Sequence, residues 1–92
     1  MAYTITANNK TYTVDPHAAQ RMLQCGISEA WVIETLETGA MTTQANNRDR
    51  YELQKWDDEW EETVIIQVIV EEANLLVVTV IDDTLFIDEA DF

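Results

Sequence analysis

Two apolar runs, Val64 to Val70 and Leu75 to Ile81, constrain this chain more than any other feature. β-Branched residues dominate both, and nearly every position is apolar, as in strands covered on both faces. Only Glu71-Glu72-Ala73-Asn74 joins them. A parallel crossover needs about a dozen residues or more, so the strands Thr63–Val70 and Leu75–Ile81 must pair antiparallel as a hairpin, central in a sheet. Neither run nears the roughly 20 apolar residues of a membrane-spanning helix.

The remaining elements follow from local signals. Arg50 to Trp56 alternates, with Tyr51 and Leu53 on one side and Glu52 and Gln54 on the other, as a half-buried strand does. Tyr3–Ala7 and Thr11–Val14 are rich in Thr, Tyr, Ile and Val, and Asn8-Asn9 between them tolerates the left-handed angles of a tight turn. These predict an amino-terminal hairpin. Asp15-Pro16 reads as a helix cap and first helical residue, and Gly26 as a left-handed stop, giving a helix over Pro16–Cys25. Ala18, Met22 and Cys25 form its apolar stripe, and His17, Arg21 and Gln24 a polar one. Ser28 caps a second helix over Glu29–Thr38, with Val32, Ile33 and Leu36 inward and Gly39 at its end.

The expected fold class is therefore α+β: an amino-terminal hairpin and two helices packed on a twisted antiparallel sheet. A chain of 92 residues supplies one core, so residues 1–92 are expected to form a single domain. Residues 83–92, with Leu85-Phe86-Ile87 followed by acids, are expected to add an edge strand or form a mobile acidic tail. A free edge there would permit a homodimer.

Charge narrows the function classes. Eighteen acids against five bases give a net charge of -13, which disfavours nucleic acid and anionic membranes as partners. All five bases (Lys10, Arg21, Arg48, Arg50 and Lys55) precede Asp57, and no base follows it. The single cysteine, Cys25, cannot form an internal disulfide, and Met1 to Lys10 lacks a basic start followed by an apolar core. A cytoplasmic location is the expectation.

The run Asp15-Pro16-His17-Ala18-Ala19-Gln20-Arg21-Met22, the joint Gly26-Ile27-Ser28, the acidic second helix, the strand near Tyr51 and the late Leu76-Val77-Val78-Thr79-Val80 together resemble a bacterial domain-of-unknown-function family, number 4258. The likeness spans roughly His17 to Asp82. It implies a fold similar to RelE-like and barnase-like ribonuclease toxins, and a place in toxin and antitoxin pairs. Cys25 stands where the family usually has Arg, and the last strand carries no base.

Metal-independent RNA cleavage needs a base, an acid and cations for the charge on phosphorus. His17 is the one side chain that ordinarily titrates near neutrality, and Arg21 lies one helical turn later. Arg50 or Lys55, on the alternating strand, could complete a phosphate clamp. These four residues are the catalytic candidates under a ribonuclease alternative. Against it, so acidic a chain repels RNA before any chemistry begins.

The leading expectation is a non-catalytic protein-binding domain of toxin–antitoxin or immunity type. Trp56, Asp57, Asp58, Trp60, Glu61 and Glu62 combine carboxylates with aromatic anchors, a surface suited to a basic protein partner. A plainer reading makes this run a solvated hairpin loop whose acidity only maintains solubility. Metal binding is not expected, because the spacing and turn glycine of a calcium loop are missing. Cys25 lies on the apolar stripe as a small hydrophobe. With only Gly26 and Gly39, both at helix ends, the chain has no glycine-rich phosphate loop, and no cofactor is expected.

Overall fold

A computed structural model describes residues 3–44, 46–58 and 61–82. Its elements run β1 (Tyr3–Ala7), β2 (Lys10–Val14), α1 (Pro16–Cys25), α2 (Glu29–Thr38), β3 (Ala40–Thr43), β4 (Asp49–Asp57), β5 (Glu62–Glu71), a 3-10 turn (Glu72–Asn74) and β6 (Leu76–Asp82). The six strands form one sheet in the order β1-β2-β6-β5-β4-β3. The α+β class is as expected, and β5 and β6 pair antiparallel near its centre.

The sheet is mixed rather than wholly antiparallel. β2 runs parallel to β6, with Thr13 beside Leu76 and Val14 beside Val77. The helices and three intervening strands carry the chain across, a connection long enough to reverse its direction. The Thr13 N–H donates to the Leu75 carbonyl at 2.8 Å, and the Asp15 N–H to that of Val77 at 3.0 Å. A further difference is β3, whose four residues are all exposed and therefore lack the alternation that marks a half-buried strand.

Local chemistry explains the turns. Asn8 and Asn9 take φ of 54° and 63°, the handedness that matches strand twist in a two-residue hairpin. The Asp15 carboxylate accepts from the His17 N–H at 2.9 Å, capping α1, while Gly26 closes it at φ 68°. Ser28 Oγ accepts from the Trp31 N–H at 3.2 Å and starts α2. Both helices contribute to one core: Ala18 and Met22 from α1 and Val32 and Leu36 from α2 join Ile5, Tyr12, Val14, Ile66, Val68, Val70, Val77 and Val80 of the sheet. Ile65 and Ile69, of the opposite parity on β5, are partly buried, as are Val78 and Ile81 on β6, where a register shift beside Val70 breaks the alternation. Leu85-Phe86-Ile87 lies outside the described residues.

Candidate functional site

The acidic run sits at the tip of the β4–β5 hairpin. Asp57 ends β4 and Glu62 opens β5, directly opposite each other in the ladder. Asp58 and Glu61 are exposed between them, Glu61 at a positive φ of 51°. Trp56, the residue before the tip, is 57% exposed. Trp60 lies outside the described residues. Carboxylates so close repel one another, and a tight hairpin holds them together only because the apolar strands beneath fix its register. The result is a negative projection with an indole at its base.

The cationic candidates are not gathered in one place. His17 is exposed in the first turn of α1, and Arg21 is half-buried one turn later. Lys55 Nζ donates to both Glu34 oxygens at 3.2 Å and lies 5.3 Å from the centre of the Trp31 ring, so its charge is spent on α2. Arg50 lies five residues before Lys55 on β4, and side chains at odd separation leave opposite faces of a strand. Arg50 reaches Gln44 Oε1 at 3.4 Å. Arg50 and Lys55 thus cannot grip one phosphate together.

A second cluster occupies the other end of β4. Glu72, in the 3-10 turn, accepts from the Tyr12 hydroxyl at 2.7 Å, from the Tyr51 hydroxyl at 3.4 Å and from Lys10 Nζ at 3.1 Å. Arg48 lies 3.8 Å from Glu71 beside it. Burial raises the Tyr12 hydroxyl well above its ordinary value of 10, helped by the Glu72 hydrogen bond and charge. Burial also pushes the Glu72 carboxyl up, but hydrogen bonds from Tyr12 and Lys10, the Lys10 charge and the Tyr51 hydrogen bond outweigh it and leave the carboxyl low. Such a carboxylate is a weak base and a good tether. No local signal announces the cluster, since Tyr12 and Glu72 stand 60 residues apart.

Tyr3, Met22, Leu23, Ile27 and Glu29 line a groove of about 390 Å³ at the joint of the helices. Among the described residues no group of three His, Cys, Asp or Glu side chains is placed to hold a metal ion, and no helix is long and apolar enough to cross a membrane.

No curated protein and no solved structure matches the chain. The model of one family, described as Domain of unknown function (DUF4258), matches residues 14–82, from the last residue of β2 to the last of β6. That match takes in both helices, the acidic hairpin and the central strands, and the chain belongs to the DUF4258 family.

Proposed function

We propose that this chain is a non-catalytic protein-binding domain of toxin–antitoxin or immunity type, working in the bacterial cytoplasm and docking a basic protein on the β4–β5 tip. The observation that carries the reading is Trp56, 57% exposed beside Asp57, Asp58, Glu61 and Glu62. Exposing an indole costs hydration free energy that a domain with a filled core has no need to bear. At an interface the same ring supplies a rigid anchor, while the surrounding carboxylates speed the encounter with a cationic partner. The dispersed cations, with Lys55 held by Glu34 and Arg50 on the other face of β4, favour this reading over the ribonuclease alternative.

The test uses a fluorescein-labelled peptide rich in Lys and Arg and carrying apolar residues. The wild type is expected to bind it, and reversing Asp57, Asp58, Glu61 and Glu62 to Lys abolishes binding. Trp56→Ala weakens it about thirtyfold, the threshold of an aromatic hot spot. Unchanged binding after the four reversals overturns the proposal. Growth after induced expression tests the non-catalytic part: arrest by the wild type but not by a His17→Ala, Arg21→Ala variant would overturn it in favour of a toxin.

A further inference from the structure

The β3 edge points to a second contact surface, of a different kind. Among the described residues β3 is bonded on one side only, to β4. The phase of that ladder can be read from one bond. The Gln44 N–H donates to the Arg48 carbonyl at 2.7 Å, so Gln44 and Arg48 form a hydrogen-bonded pair. Such pairs alternate along antiparallel strands. Thr42 opposite Arg50 and Ala40 opposite Glu52 therefore bond inward, whereas Met41 and Thr43 turn their N–H and C=O groups outward to the free edge.

Soluble proteins usually blunt such an edge with charge, proline, a bulge or a cover. Among the described residues none of these is present. Gly39 to Asn47 carries neither charge nor proline, the β3–β4 register is unbroken, and all four β3 residues are exposed, Met41 at 53%.

We infer that β3 pairs with β3 of a second copy of this chain, antiparallel about a two-fold axis through Thr42. That register places Met41 opposite Thr43 of the second copy. Each offers the other the outward N–H and C=O that antiparallel bonding requires, and the two Thr42 side chains meet at the axis. Charge selects this edge over β1. Tyr3 at one end of β1 bonds to Glu29 at 3.0 Å, and Asn8 just past the other bonds to Glu37 at 3.4 Å, so self-pairing through β1 would crowd carboxylates from both copies. β3 is flanked by Gly39 and Gln44 and brings no like charge of its own to the axis. For a chain of charge -13 that neutrality is what a self-contact needs. Four residues make a small interface, so the dimer is weak and depends on concentration.

Sedimentation velocity over a range of protein concentrations tests this. The wild type is expected to rise from 10.6 kDa toward twice that mass. The rise steepens between about 0.05 M and 0.5 M NaCl, because salt screens the repulsion between copies. Docking of a basic peptide on the β4–β5 tip moves the opposite way with salt, so the two surfaces fail or succeed separately. Met41→Pro deletes only an outward donor and blocks the edge. Thr42→Glu sets like charges face to face at the axis without touching the backbone. Both are expected to sediment at the monomer mass with an unaltered far-ultraviolet dichroism spectrum. A wild type that stays at 10.6 kDa throughout, or a folded Thr42→Glu variant that dimerises like the wild type, overturns the inference.

Discussion

The Tyr12 hydroxyl donates a 2.7 Å hydrogen bond to Glu72, joining the second strand to the turn before the last. Tyr12 is 1% exposed, so its ring fills the core while its hydroxyl reaches a carboxylate at the rim. Tyr12→Phe keeps the ring and removes the donor. A buried hydrogen bond to a charged acceptor contributes about 1.5–3 kcal/mol, and the variant is expected to lose that much in urea unfolding with an unchanged m-value.

The same pair sets a pH signature. The Glu72 carboxyl is lowered from its ordinary 4.5. A carboxyl lowered by folding stabilises the fold above its unfolded value, and that contribution is lost as pH falls through the lower folded value. The stability difference between wild type and Glu72→Gln is therefore expected to be constant near neutrality and to shrink on acidification below about pH 5. Tyr12 has the opposite sign. Burial first, then Glu72, raises it above 10, so its contribution is complete below pH 10 and is lost as pH rises beyond. The gap between wild type and Tyr12→Phe, followed by thermal unfolding across pH, is expected to narrow only on the alkaline side.

The two glycines separate strain from space. At Gly39 an added Cβ would lie 2.5 Å from the Thr35 carbonyl oxygen and 2.8 Å from that of Glu52. Both are backbone atoms, and φ is an ordinary -71°. Gly39→Ala must push α2 away from β4 and is expected to cost about 3 kcal/mol, the upper range of overpacking. Gly26 has open space around it but φ of 68°, so Gly26→Ala is expected to cost about 1–2 kcal/mol for left-handed backbone alone. Denaturant midpoints of the two variants give the order.

Helix capping supplies a milder pair. Asp15→Ala and Ser28→Ala each remove a side-chain acceptor for an otherwise unpaired N–H, His17 in α1 and Trp31 in α2. Each is expected to lose about 1 kcal/mol, and together they should add nearly independently in thermal unfolding, since they serve different helices.

What could be read in advance divides along the range of the interactions. Asp15-Pro16, Gly26 and Ser28 act within one helical turn, so both helices were legible to the residue. Val64 to Val70 and Leu75 to Ile81 carry their partner choice in the shortness of the join. β3 was not legible, because Ala40-Met41-Thr42-Thr43 buries no face and leaves no period. The Glu72 tether was not legible either: in sequence it is one acid of an adjacent pair, and only the parallel contact of Thr13 with Leu76 brings Tyr12 beside it. Of the candidate site residues, Asp57 and Glu62 were placed by the register of two apolar strands. The cations had no such scaffold, and the fold distributes them.

The parallel step between β2 and β6 also bears on how the chain is made. Thr13 and Val14 must wait for Leu76 and Val77 before they gain their neighbours. On a ribosome the first hairpin emerges early and can rest on α2, but it joins the sheet only when the last described strand has left the exit tunnel, a long loop closure that slows folding. During that interval Tyr12 and Val14, buried in the finished core, lack the central strands that cover them.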